Sequence, residues 1–242
     1  MGFLSMHYSL ASLMFLVACG GMSGPLDPGA GDSQGTGTKT LLVTGSATAS
    51  PRVASAQVAS DFDTAFSVRI ELAGAVVTTG TVTVTSSTAA TPLAFTTTGN
   101  DTGHWIGNAS GYDEVYQLDV TSGTDNVTGV VVDGPDIQTI TAPTAGATID
   151  STQPFVATWD RAAAADVATV QAGDGGPITV VDSGTYSIAP GTLQADKDKA
   201  RTDTFRLSRS NHVSPSGAVV GSNVEVGVQE EVDVVAAACP GC

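Results

Sequence analysis

The sequence predicts an all-β fold arranged as two tandem β-sandwiches, preceded by an export signal and a disordered tether. Three observations predict it. Apolar and polar residues alternate with a period of two in segment after segment, which turns one face of each inward and the other to water. Clusters of Gly, Asn, Asp and Ser separate these segments at the short spacing typical of sandwiches. Aromatics make up only 5% of the 242 residues while Gly and Thr abound, a composition poor in helix formers but long enough for two domains.

Residues 9–18 form an uncharged apolar run, too short to cross a bilayer as a helix and of the length of a signal-peptide core. The preceding segment carries His7 but no Lys or Arg, and the run ends in Leu16-Val17-Ala18-Cys19. Residues 1–18 are therefore read as a signal peptide. Residues 19–38 are rich in Gly, Ser, Pro and Asp, bury almost nothing, and read as a flexible tether.

The first sandwich is placed at residues 39–137. Phe66, Val68, Ile70 and Leu72 alternate there with Ser67, Arg69 and Glu71, and residues 81–85 read Thr-Val-Thr-Val-Thr. Leu93 and Phe95 alternate again. Tyr116, Leu118 and Val120 oppose Gln117 and Asp119, and residues 127–132 supply a further strand. Turn signals stand at residues 98–101, 110–111 and 122–125. Gly134-Pro135-Asp136 marks the boundary.

The second sandwich is placed at residues 138–238. Ile140, Pro143, Gly146 and Ile149 open it, and Phe155, Ala157 and Trp159 alternate with Val156, Thr158 and Asp160. Strands follow at residues 178–182, 185–188, 204–208, 223–228 and 232–235. Residues 192–203 mix charges with helix formers and predict one or two helical turns in a crossover loop. Residues 239–242 are a Cys-Pro-Gly-Cys tail.

Leu16-Val17-Ala18-Cys19 resembles the lipobox of bacterial lipoproteins. The resemblance implies cleavage between Ala18 and Cys19 and acylation of the Cys19 thiol, hence a membrane anchor in a bacterial envelope. Gly20 rather than Asp follows the cysteine, which within that family points to the outer membrane. Gly74-Ala75-Val76-Val77, residues 81–85, Gly103-His104-Trp105, Gly111-Tyr112 and residues 116–120 together resemble bacterial immunoglobulin-like or carboxypeptidase-regulatory-like domains. Trp105 stands where those domains carry Tyr. Trp159 with the later Tyr186-Ser187-Ile188 is similar to fibronectin type III-like domains. These resemblances imply immunoglobulin-like sandwiches that are not themselves catalytic.

Charge narrows the partners. The formal net charge is −15, from 24 acids against 9 Lys and Arg, and both halves share the excess. Such a surface repels phosphate backbones and disfavours nucleic acid. It also disfavours polybasic docking on anionic lipid, which leaves attachment to the acyl anchor.

Motifs for catalysis are lacking. There is no Gly-x-Ser-x-Gly elbow or P-loop, and Ser46 and Ser60 lie in featureless Ala/Ser/Thr contexts. His104 and His212 have no zinc-like spacing. No cofactor is expected. Calcium has the weak candidates Asp61 and Asp63, on one side of an extended segment. Asp119 and Asp125, with Asp133 and Asp136, are candidates at one end of the first sandwich, because carboxylate oxygens suit that ion. Cys239 and Cys242 read as a small disulfide loop in an oxidising compartment. The resemblance to thioredoxin-type Cys-Gly-Pro-Cys with its middle pair reversed invites a redox reading, which is weaker because that chemistry needs the first Cys at a helix N-terminus. Trp105 and Tyr112 are the ligand candidates if their rings face outward as a sugar platform; otherwise they are core, like Tyr116, Trp159 and Tyr186.

The expected function is a lipid-anchored envelope protein with a non-catalytic structural, adhesive or protein-binding role. The alternative is a carbohydrate- or cell-wall-binding lipoprotein, with an enzyme accessory behind it.

Overall fold

The computed structural model describes residue 26 and residues 31–239. The predicted signal peptide, Ala18, Cys19 and Cys242 lie outside the described residues. The first half runs β1 (Ser33–Gly37), β2 (Leu41–Pro51), a 3-10 turn at Ala59–Asp61, β3 (Phe62–Leu72), β4 (Ala75–Val76), β5 (Thr81–Ser86), β6 (Ala90–Pro92), β7 (Ala94–Phe95), β8 (Trp105–Ser110), β9 (Val115–Ser122) and β10 (Asp125–Asp133). The second half runs β11 (Thr139–Ala142), β12 (Thr148–Ile149), β13 (Phe155–Asp160), β14 (Val167–Ala172), β15 (Ile178–Val180), β16 (Thr185–Ile188), β17 (Arg201–Val213) and β18 (Asn223–Ala236).

These strands make an all-β fold of two sandwich cores, as the alternation predicts. A five-stranded sheet, β1-β10-β9-β5-β6, closes the first core, and a three-stranded sheet, β11-β13-β16, closes the second. Both are backed by one sheet, ordered β15-β14-β17-β18-β2-β3-β8-β7, with β12 and β4 added on β18 and β3. Period-two burial is clearest on β2, β3, β17 and β18.

The shared sheet corrects the boundary at residue 137. That position separates neither two structural units nor two cores, since Val213, Ala218, Val224, Val226 and Val228 beyond it belong to the first core. Along β18, Val224, Val226 and Val228 pack in the first core, while Val232, Val234 and Ala236 pack in the second. Val213, at the end of β17, belongs to the first core and Phe205 and Leu207 to the second. Both strands are long enough, at 13 and 14 residues, to cross from one core to the other. The halves meet where β18 pairs in parallel with β2, from Asn223↔Thr44 to Val228↔Ala49.

Two further expectations are corrected. The tether ends early, because β1 pairs antiparallel with β10 from Ser33↔Val131 to Gly37↔Val127. Gly217 of the β17–β18 turn packs against the Thr36–Gly37 backbone so closely that a Cβ on Gly37 or Gly217 would clash with backbone atoms. Ser216 N–H donates to the Gln34 carbonyl (2.9 Å) and Lys39 N–H to the Gly217 carbonyl (2.8 Å). Gly35 and Gly37, which suggested slack, are there for close approach. Residues 192–200 form no helix, and strand begins at Arg201. Leu193 is drawn into the second core, and the Gln194 N–H donates to the inward Asp203 carboxylate (3.3 Å).

The crossing between the cores is pinned by one buried cation. Arg209 is 1% exposed and sits on β17 between Leu207 and Val213, facing inward. Its Nε–H donates to Asp182 Oδ2 (2.9 Å), and one terminal nitrogen donates to the Asp136 carbonyl (3.0 Å) and the other to the Ala163 carbonyl. Asp182 also accepts the Trp159 indole N–H (2.8 Å) and the Ala165 amide (2.8 Å). Burial alone would raise the Asp182 carboxyl, but these donors and the guanidinium hold it below the usual range. The Tyr112 hydroxyl donates to the Pro135 carbonyl (2.7 Å), fixing the same crossing from the first sandwich.

Removing one member of a buried, hydrogen-bonded ion pair strands the other. Arg209→Ala is expected to cost about 3–5 kcal/mol in urea unfolding. The double variant Arg209→Met/Asp182→Leu is expected to recover a large part of that loss.

Candidate functional site

The strongest candidate lies where the two cores meet. On its β2 side, β18 is paired as far as Val228↔Ala49 and again from Val235↔Thr148. Gly146 N–H donates to the Asp233 carbonyl (2.8 Å). Among the described residues no strand pairs with positions 229–232 on that side. The chain leaves β2 at Pro51 into residues 52–61, and this loop forms one wall. The turn at residues 143–147 and the start of β11 form the other.

Two adjoining cavities open there. One, of about 240 Å³, is lined by Ala56, Gln57, Thr139, Ile140 and Glu230 among others. The other, of about 290 Å³, is lined by Arg52, Val53, Glu231 and Asp233 among others. Ser55, Ala145, Glu231 and Val232 border both. Alternation along β18 turns Glu230 and Val232 to one face and Glu231 and Asp233 to the other.

Glu230 is the unusual member. It holds an inward position in a series of valines, is 3% exposed, and its Oε1 has no hydrogen-bond partner among the described residues. Burial, and then the charges of Asp61 and Glu231, push its carboxyl up to about 8, against the opposing pull of the Glu231 amide. Its neighbours are answered. Glu231 takes the Arg206 Nε–H (2.7 Å) and the Gln229 side-chain amide (2.6 Å), and Asp233 takes the Thr204 hydroxyl (2.9 Å).

Other residues singled out in the sequence fall elsewhere. Trp105 is 6% exposed and Tyr112 3%. Trp105 stacks edge-on with Phe95 at 5.6 Å and donates its indole N–H to the Val77 carbonyl (3.1 Å). Tyr112 packs against Phe62 and Tyr116. Both rings are core, and neither presents a face to a sugar.

The calcium candidates do not converge. Asp61 accepts the Gln57 and Val58 amides (3.0 and 3.2 Å), and Asp63 pairs with Arg52 (3.6 Å). Asp119 accepts the Gly129 amide (2.8 Å) and the Gln117 side chain (2.7 Å), and Asp125 accepts the Thr40 hydroxyl. Asp63 lies across from Ser50 at one end of β2, whereas Asp125 meets Thr40 just before the other end. Asp125 and Asp133 likewise stand at opposite ends of β10. Among the described residues no group of three His, Cys, Asp or Glu is placed to hold a metal.

His104 bonds Ser67 (2.8 Å) and His212 bonds Asp166 (3.2 Å). Cys239 is buried and disulfide-bonded, its N–H donating to the Asp196 carbonyl (2.8 Å); the bonded cysteine is outside the described residues.

Sequence reading missed Glu230, Arg209 and Asp182. A signal existed for two of them. Both Glu230 and Arg209 occupy inward positions of an alternating strand, where a charge is costly unless paired.

No protein-family model matches the chain, and no curated protein matches it. Among solved structures it is similar to one described as "Crystal structure of Dpr11 IG1 bound to DIP-gamma IG+IG2", at 13% identity over 80% of this chain and 96% of that chain, with a TM-score of 0.21.

A carboxyl that keeps its proton to a higher pH in the folded state stabilises the fold at low pH. That contribution is lost as pH rises from about 4.5 through about 8. Glu230→Gln is expected to flatten this decline and to raise the melting temperature near pH 8 by roughly 3–6 °C, read from thermal melts across that range. Trp105→Ala is expected to cost about 3–5 kcal/mol, as loss of a core ring does, in the same measurement.

Proposed function

We propose that this chain is a non-catalytic, lipid-anchored protein of a bacterial envelope whose paired sandwiches present a binding surface. The observation that carries the reading is Leu16-Val17-Ala18-Cys19 at the end of an uncharged run. Acylation there supplies the attachment; among the described residues no helix is long and apolar enough to cross a membrane. Thirteen residues separate Cys19 from Ser33, so at full extension the folded body stands at most about 50 Å from the anchor.

The body itself suits presentation rather than bond making. Its shared sheet and pinned crossing hold two sandwiches in one arrangement, and its loops lie at their ends, where sandwich proteins place recognition. The acidic surface supports solubility close to a membrane and selects against anionic partners. Its buried titratable residues are single or structurally paired, and among the described contacts Ser67 meets His104 (2.8 Å) with no carboxylate on that imidazole to complete a hydrolase triad.

The test is made in the native cells with a clickable palmitate, comparing wild type with Cys19→Ala, and with protease applied to intact cells. Label lost in the variant and digestion from outside are the expected result for a surface anchor. Label with protection places the sandwiches on the periplasmic side. Wild-type protein that takes no label overturns the anchor.

A further inference from the structure

The turn joining β17 to β18 carries an apolar residue that folding does not use. Val220 is 99% exposed, and Val219 beside it and Leu72 are exposed too. The turn is nonetheless firmly held. Lys39 N–H donates to the Gly217 carbonyl (2.8 Å), Val219 N–H to the Leu41 carbonyl (2.8 Å), and the Ser222 hydroxyl to the Val219 carbonyl (2.7 Å). Leu41 pairs with Leu72, and the half-buried Leu42 lies beside Gly221. Leu42, Leu72, Val219 and Val220 therefore line one end of the first sandwich as an aliphatic rim on a fixed base. Scattered exposed valines are ordinary, whereas apolar residues gathered at one place mark a contact. We infer that this end of the first sandwich rests on the bilayer that holds the acyl anchor of Cys19, with the Val219-Val220 turn dipping into its surface. This deepens the reading of the chain as a lipid-anchored protein and rests on it.

Charge favours a lipid surface at this end. The loops that meet there are residues 38–40, 73–74, 77–80, 122–125 and 217–222. Thr38 N–H donates to the Asn126 carbonyl (3.0 Å) and the Ser122 hydroxyl to the Thr79 carbonyl (3.1 Å), which ties them together. Lys39 and Asp125 are the only formal charges of these loops and cancel, in a chain of net charge −15. Just behind, Glu71 pairs with Arg69 (2.8 Å), and Asp101 stands aside on the β7–β8 loop at the edge of the shared sheet. The acids are dense at the opposite end, with Asp61, Asp63, Asp113, Glu114, Asp133 and Asp136. Docking by the neutral end turns that charge away from an anionic leaflet. Reach permits it as well. The chain enters β1 at Ser33 on the acidic side, where the Asp32 carboxylate accepts the Asp133 amide (2.8 Å). From there β1 covers about 13 Å to Gly37 at the neutral end. The thirteen residues before Ser33 extend to about 50 Å, enough to run from the bilayer past β1. So small a turn binds a bilayer weakly alone, and the acyl anchor raises its effective concentration there.

The experiment uses the acylated full chain in phosphatidylcholine vesicles. A reporter indole is introduced by Val220→Trp or, on the second sandwich, by Val181→Trp, at a position 82% exposed. Trp105 and Trp159 are core residues and give the same background in both variants. Brominated phosphatidylcholine quenches an indole that enters the bilayer. Val220→Trp is expected to lose most of its added emission in brominated vesicles and to emit further to the blue. Val181→Trp is expected to keep its emission. Because the contact is apolar, the quenching of Val220→Trp is expected to persist at high salt.

Val219→Asp added to Val220→Trp is expected to restore the emission, with the melting temperature of the single variant, since both positions are exposed. Equal quenching of Val220→Trp and Val181→Trp, or quenching of neither, overturns the inference. A blue shift without quenching places the turn against a second copy or another protein, and overturns it too. Retention of the chain on the vesicles reads the anchor separately. A retained chain with Val220→Trp unquenched loses the contact and keeps the anchor, whereas a chain that is not retained and takes no palmitate loses both.

Discussion

Six residue pairs, Asn223↔Thr44 to Val228↔Ala49, carry the architecture. They are parallel, and they join strands from the two ends of the chain. Without them β2 would be the edge of one sheet and β18 the edge of another. With them the backing sheet is continuous, and each long strand contributes side chains to two cores. The Val43 amide adds a donor to the Ser222 hydroxyl (3.0 Å) at the start of the seam. Gly45, in the middle of it, leaves a cavity of about 20 Å³ bordered by Val68, Leu118 and Val224, with room for a methyl group.

The seam also explains why the candidate cavity exists. β2 must turn away after Pro51 to return as β3, and β12 reaches β18 only at Val235. The interval between these partners is where the two cores abut. A residue facing inward there is buried at the junction of the two cores, as Glu230 is. Glu230 occupies that position, and the opposite strand places Leu207 across from it. Its Oε1 is buried there without a hydrogen-bond partner among the described residues.

Strand existence was legible because alternation survives in the primary sequence, as at Phe66, Val68 and Ile70, or at Phe155, Ala157 and Trp159. The partition into halves was less legible. Period two identifies which face of β18 is buried, but it carries no information on which core each residue joins. Glu230-Glu231 interrupts the apolar series and suggested two short strands where one long strand runs. The Gly-rich stretch before residue 38 was read as slack because a glycine that permits close backbone approach and a glycine that permits motion are the same letter. Pairing across 179 residues, as between Val43 and Ser222, has no local signature at all. The aromatic residues were legible as core material; the buried ionic network was not, because Asp182, Arg209 and the Asp136 carbonyl are brought together only by the fold.

The parallel seam has a consequence for how the chain reaches this state. During synthesis, β2 and β3 emerge early, but the strand that completes their sheet is among the last to appear. The first core therefore lacks Val224, Val226 and Val228 until nearly the whole chain is available, and β2 meanwhile offers an unpaired edge. Long loop closure before any reward slows such folding, and an open edge invites pairing with the wrong chain. A break at the 134–138 crossing would not yield two self-sufficient fragments either, because residues 201–236 serve both cores. The two sandwiches are thus one cooperative object, acquired late and all together.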